Sequence, residues 1–208
     1  EDEMAAAIRK ALSDESEGDV LAFLPGVGEI ERTAERLAGI GAELHRLHGS
    51  LEPVEQRAAI RRSSGRKVIL ATSIAETSLT IDGVRIVVDS GLARRARYDR
   101  AAGSTRLVTE RASQAATTQR AGRAARQGPG VAYRLWEEAA TAGLPPFDPP
   151  EILEADLSPL LLDCTAITSS AISPAANPNV SACKVALLRP ASGKPKERGR
   201  TLANWRDE

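Results

Sequence analysis

The chain has 208 residues, of which 42% are hydrophobic, 27% charged and only 3% aromatic, and its formal net charge is zero. That length holds one domain of ordinary size plus extensions, with a core built mainly from Ala, Leu, Ile and Val. No apolar run approaches bilayer length and no secretory signal pattern opens the chain, so neither a membrane partner nor export is expected, and the expected location is cytoplasmic. Cys164 and Cys183 offer neither metal-ligand spacing nor a disulfide framework, which fits a reducing compartment and no protein-held metal. The opening at Glu1 rather than Met reads as an excised segment of a longer protein. Residues 1–60 hold 13 Asp/Glu against 6 Lys/Arg, whereas residues 85–126 hold 10 Arg against 3 acids. The neutral total thus hides a basic segment suited to a polyanion, ATP or RNA alike.

In chain order, residues 1–17 are expected to be an N-terminal helix or linker. Residues 19–24 read as a strand that leaves through Pro25-Gly26. Ile30, Ala34 and Leu37 are spaced for an amphipathic helix over 29–38, which Gly39 and Gly41 end. A strand over 42–47 follows, then a helix from Pro53 to about Arg62, since proline is tolerated in a first helical turn. Apolar runs at 68–71 and 85–89 are short enough for strands buried on both faces. This alternation predicts an α/β fold, a parallel sheet flanked by helices. Residues 97–100 and 105–109 break the alternation as an inserted antiparallel hairpin. Ser113 is placed to cap the next helix, residues 130–135 form a last strand, and 144–150 interrupt regular structure. Residues 151–163 are expected to be helical, and residues 164–208, rich in Ser, Ala, Pro, Asn and Lys, are expected to be a disordered tail, with a divergent extension or foreign sequence as the alternatives.

Two stretches carry the chemistry. Residues 119–126 read Gln-Arg-Ala-Gly-Arg-Ala-Ala-Arg. In helical spacing Gln119, Arg123 and Arg126 share one face, with Arg120 beside them. Arginine forks suit the charge that develops on phosphoryl oxygens during transfer; three arginines alone would read as a solvated basic face. Upstream, the strand at 68–71 runs into the cluster Thr72-Ser73-Ile74-Ala75-Glu76-Thr77-Ser78-Leu79-Thr80-Ile81-Asp82 and then the strand at 85–89. Polar residues at the carboxyl ends of parallel strands are where open α/β sheets place ligands.

Together these stretches closely resemble motifs V and VI of the DEAH-box helicases. Leu-Ala-Phe-Leu-Pro-Gly-Val-Gly-Glu-Ile at 21–30 is similar to motif IV, and Leu-His-Gly-Ser-Leu-Glu-Pro at 47–53 to the segment after it. Residues 96–109 resemble the hairpin between motifs V and VI, and 128–136 continue the pattern. Several ordered motifs over about residues 18–163 are far more specific than one pattern. They point to the second RecA-like domain of bacterial ATP-dependent helicases of the HrpB type, over residues 18–143, with 144–163 leading into a winged-helix region.

The resemblance implies a RecA-like fold carrying an inserted hairpin, ATP with Mg²⁺ as nucleotide and cofactor, and two partners: a first RecA-like domain and single-stranded RNA, with DNA as second candidate. Arg123 and Arg126 would reach the γ-phosphate, Arg126 as the arginine finger, and Gln119 would position the attacking water or that phosphate. Asp82 would lie near the ribose. Gly26, Thr72, Ser73 and Thr80 would lie near the nucleic-acid backbone, with the hairpin as wedge and Arg94 and Arg95 at its root as further phosphate contacts. Ser73 stands where the family usually has Asn, Ala125 where it usually has Gly, and Ile60 near a position where relatives place an aromatic against adenine.

Blander readings stand beside these. Asp82-Gly83 can be a turn, Thr72 and Thr80 helix caps, and Glu76 an internal partner for an arginine. His45 and His48 lack the companions of a metal or triad site, and Trp136 and Trp205 read as packing or tail residues. The sequence contains neither a Gly-x-x-x-x-Gly-Lys-Ser/Thr loop nor Asp-Glu-Ala-His, so the metal is expected to be held mainly by the first motor domain. The rival function is therefore a non-catalytic nucleic-acid-binding or regulatory fragment.

Overall fold

The computed structural model describes residues 1–76, 80–99, 101–153 and 155–171. Strands β1 (Asp19–Phe23) and β3 (Lys67–Ala71) are buried at every position, as the short unbroken apolar runs require of central strands. With β2 (Glu43–Leu47), β4 (Val84–Asp89) and β7 (Val131–Arg134) they form one parallel sheet in the order β2-β3-β1-β4-β7. Its register sets Phe23 beside both Ala71 and Asp89, and Leu47 beside Ala71, so these four residues mark one carboxyl edge.

Alternation along the strands splits the core between two faces. Val20, Ala22, Val68, Leu70, Ile86 and Val88 pack with helices α1 (Asp2–Asp14) and α2 (Val27–Arg36). Leu21, Phe23, Ile69, Ala71 and Val87 face the other way, toward Ala59 of α3 (Pro53–Ile60) and Ala124. Helix α1 places Met4, Ala5, Ile8 and Ala11 in the first of these cores. Gly39 and Gly41 follow α2 with φ of 74° and 76°, a region that favours glycine. Pro53 occupies the first turn of α3, where Glu55 accepts from the Glu52 amide as in a capping box.

The hairpin is longer than the sequence suggests: β5 (Leu92–Asp99) pairs antiparallel with β6 (Ser104–Arg111). Its arginine-rich root shows no apolar alternation, and cross-strand pairs hold it instead, Arg95 and Arg97 to Glu110 at 3.2 and 2.7 Å. Helix α4 (Gln114–Gly122) starts at Ser113, whose hydroxyl accepts from the Ala116 amide at 3.1 Å. Beyond it lie β7 and a short α5 (Glu138–Thr141).

The chain divides into a unit Glu1–Pro159 and a unit Leu160–Glu208. Helix α6 runs Ser158–Ala171. Of the tail expected from residue 164, residues 164–171 are therefore helical and 172–208 lie outside the described residues. The helix expected over 151–163 is a 3₁₀ turn at Glu151–Leu153 followed by the start of α6. No helix among the described residues is long and apolar enough to cross a membrane.

Candidate nucleotide and nucleic-acid site

The polar cluster between β3 and β4 is split by the geometry. Strands β3 and β4 are parallel, so their connection must travel from the carboxyl edge to the amino edge of the sheet. Thr72 and Ser73 stay at the carboxyl edge, where the Thr72 amide donates to Leu47 O at 3.1 Å. Thr72 is half-buried and begins a 3₁₀ turn (Ser73–Ala75) without a side-chain capping bond; Ser73 and Thr80 are exposed. Thr77, Ser78 and Leu79 lie outside the described residues. Asp82 reaches the amino edge, just before β4, separated from Thr72 by roughly 15 Å of strand.

The octet lies over the Phe23 face of the sheet. Its helix ends at Gly122, after which the amides of Arg123 and Ala124 bond three residues back, to Arg120 O and Ala121 O. This tighter turning carries Arg126 off the α4 helix, so Gln119, Arg123 and Arg126 do not share one regular face; the low helix propensity of Gly122 is the local cause. Arg123 and Arg126 still converge, lining a small depression with Leu21, Ile81 and Val84. Gln119 is exposed on α4 and does not line it. Arg123 donates to Glu76 O at 2.7 Å from Nε and again from Nη2. Burial, and next the Arg126 charge, push the Arg123 guanidinium below its ordinary pKa, while Glu76 pulls the other way. The group stays protonated at neutral pH, and the direction records burial first and the neighbouring Arg126 cation second.

Asp82 is exposed and receives the Gln127 side-chain amide at 2.6 Å, while the same amide's oxygen accepts from Gly83 N at 3.1 Å. Gln127 thus clips the octet's exit to the start of β4, a pairing across 45 residues that no local pattern signals. The turn reading of Asp82-Gly83 also holds in part, since Gly83 has φ of 88°.

Arg120 is the larger surprise. It is 1% exposed, one of the largest fully buried side chains. It reaches Asp89 Oδ1 at 2.9 Å, Glu76 Oε1 at 2.6 Å and Leu92 O at 3.1 Å, and its guanidinium carbon stands 5.2 Å from the Phe23 ring centroid. Burial opposes its charge, but Asp89 and Glu76 together hold it above its ordinary value. Burial pushes the Glu76 carboxyl up and Arg120 only partly offsets this. The two shifts pull opposite ways on the pair, because Arg120 answers two carboxylates whereas Glu76 loses more to burial and also feels the negative charges of Asp148 and Asp89. Glu76 is thus the internal arginine partner among the sequence alternatives.

At the carboxyl edge, buried Gly26 caps α2 directly beneath Arg94, whose guanidinium a Cβ at Gly26 would strike. Arg94 pairs with Glu29 at 2.9 Å and donates to Thr109 at 3.3 Å. Arg95 pairs with Glu110 and with Asp148. Both root arginines therefore hold acids of their own domain, and a phosphate there would compete for them. His48 is buried at the end of β2, His45 lies 3.4 Å from Glu43, and Trp136 donates to Thr141 at 3.0 Å. Trp205 lies outside the described residues.

A five-stranded parallel sheet flanked by helices, with paired arginines on one face and an arginine-rich hairpin at its carboxyl edge, defines a RecA-like helicase domain. The chain belongs to the helicase conserved C-terminal domain family, which it matches over residues 3–128. It is 49% identical over 168 residues to the ATP-dependent RNA helicase HrpB of Escherichia coli, covering 78% of this chain and 21% of that protein. It is 40% identical to the E. coli ATP-dependent RNA helicase HrpA over 75% of this chain and 12% of HrpA. The crystal structure of the E. coli DEAH/RHA helicase HrpB superposes with a TM-score of 0.72 at 47% identity, covering 77% of this chain and 21% of that one. The chain therefore spans about a fifth, or less, of these relatives.

Proposed function

We propose that this chain is the second motor domain of an ATP-dependent RNA helicase acting in the cytoplasm. Residues 18–143 would form the motor unit, with residues 144–163 leading to a winged-helix region. ATP would lie in the cleft against a first RecA-like domain, with Arg123 and Arg126 on its γ-phosphate, Gln119 on the attacking water and Asp82 near the ribose. The observation that carries this is the convergence of Arg123 and Arg126 on one depression, two cations whose mutual repulsion an anion would relieve. Cations and an amide suit phosphate oxygens rather than a metal ion, so Mg²⁺ would be held mainly by the first domain. Its chemistry would be to neutralise charge between phosphates, while this chain's arginines stabilise charge on the transferring group.

Single-stranded RNA, or DNA, would cross the carboxyl edge, contacting Thr72 and Ser73 and exchanging with the acids on Arg94 and Arg95 to reach Gly26 beneath, with Thr80, two residues before Asp82, as a further contact. The hairpin would guide the strand. The test is RNA-stimulated ATP hydrolysis in a chimera carrying residues 3–128 in place of the matching stretch of E. coli HrpB. Arg126→Ala should lower kcat by about 10³-fold, the scale of an arginine finger. Unchanged hydrolysis would return the chain to the reading of a non-catalytic nucleic-acid-binding fragment.

A further inference from the structure

One buried side chain touches the structure behind both proposed sites. Arg120 sits in the octet, three residues before Arg123. Its guanidinium grips the Glu76 carboxylate, in the turn leaving β3 just after Thr72 and Ser73. It grips Asp89 at the carboxyl end of β4, whose Oδ1 also accepts from Gly91 N at 2.9 Å. It donates as well to Leu92 O, the first residue of the hairpin. Arg123 in turn holds the backbone carbonyl of Glu76. Three segments, the octet, the β3–β4 turn and the hairpin root, therefore converge on one cation.

We propose that Arg120 is a positioning residue that couples nucleotide contact at Arg123 and Arg126 to nucleic-acid contact at Thr72, Ser73 and the hairpin; this rests on the function proposed above. Arg123 bound to phosphate draws on Glu76 through its carbonyl. Because the Glu76 carboxylate is fastened to Arg120, and Arg120 to Asp89 and Leu92, that pull moves the turn and the hairpin root together. A fork with several donors in fixed directions is required: lysine offers one compact charge and cannot hold three acceptors in these directions. Burial makes the junction stiff, since a partner released there has no water to turn to.

The experiment uses the same HrpB chimera with Arg120→Lys and, separately, Glu76→Gln, whose carboxylate is at the rim of the cluster with 14% of the side chain exposed. ATP hydrolysis without RNA should stay within about threefold and the KM for ATP should hold, while stimulation by single-stranded RNA falls about tenfold or more, within the usual range of coupling between sites. Full stimulation in either folded variant overturns the proposal, as does an equal loss of basal and stimulated rates, the mark of a merely structural role. If Arg120→Lys does not fold, Glu76→Gln decides. Amide exchange in the 208-residue chain gives a second reading that needs no hydrolysis. Amides of the octet and of the hairpin root should open as one unit together with the turn leaving β3, and that turn should separate from them in Glu76→Gln. Independent opening in the unaltered chain overturns the idea. The Arg126→Ala control keeps the outcomes apart, because its effect on basal hydrolysis tests the nucleotide site and not Arg120.

Discussion

Lys67 has no exposed surface, yet its side-chain nitrogen finds partners inside the fold. Its ammonium donates to Arg61 O at 2.6 Å and Ala59 O at 3.1 Å, closing the carboxyl end of α3, and lies 3.9 Å from Asp19. A cation at that end also answers the partial negative charge of the helix. Lys67→Met should cost about 2–3 kcal/mol, because two carbonyls and a largely buried carboxylate lose their partner together; chemical denaturation would measure it. The exposed pair Lys10–Asp14, by contrast, should leave the midpoint unmoved when Lys10 is changed to Ala. Burial separates the two cases, and sequence does not display burial for a lone Lys at the head of an apolar run. Arg120 teaches the same lesson, since its partners lie 31 and 44 residues away.

The elements themselves were largely visible in the chain. The apolar runs at 68–71 and 85–89 became β3 and β4 within a residue, because a strand buried on both faces must be a short unbroken run. The hairpin root was not visible, since ion pairs rather than alternation hold it. Nor was the work of the proline-rich loop at 144–150: Pro145 O and Pro146 O accept from the Gln114 and Ala115 amides at 2.8 and 3.1 Å, satisfying the first turn of α4. Asp148 fixes that loop. Burial opposes its charge, but bonds from Arg95 and Ser113 hold its carboxyl below the ordinary value. The folded value being the depressed one, this stabilisation is present above the unfolded value of about 4 and is lost as pH falls through the folded one. Thermal unfolding followed from about pH 6 downward should therefore show an acid loss that is smaller in Asp148→Asn. Gly130 joins two elements by close approach, for a Cβ there would strike Ala124 O and stand 2.7 Å from Arg85 O. Gly130→Ala should cost about 2 kcal/mol or more by overpacking, since backbone cannot yield as a side chain can; calorimetry would read it.

Across the molecule, charge is segregated rather than absent. The hairpin carries Arg97 and Arg106, the latter 72% exposed, beside the exposed Leu107. If this surface guides single-stranded RNA, affinity should fall steeply with salt, with a log–log slope near −0.7 per phosphate contacted. Arg106→Ala should make that slope shallower by about one contact, as fluorescence anisotropy across a salt series would show. An unchanged slope would place RNA elsewhere. What the sequence by itself determined is the parallel α/β architecture, the hairpin, and the motif residues that bear the family resemblance. These depend on periodicity, punctuation and spacing, all of them local along the chain. Only the tertiary structure decided that Arg123 and Arg126 converge while Gln119 stands apart, that Asp82 lies at the opposite edge from Thr72, and that Arg120 is an interior junction. Those facts depend on which distant segments the packed sheet brings together, and on how much water it leaves beside each charge.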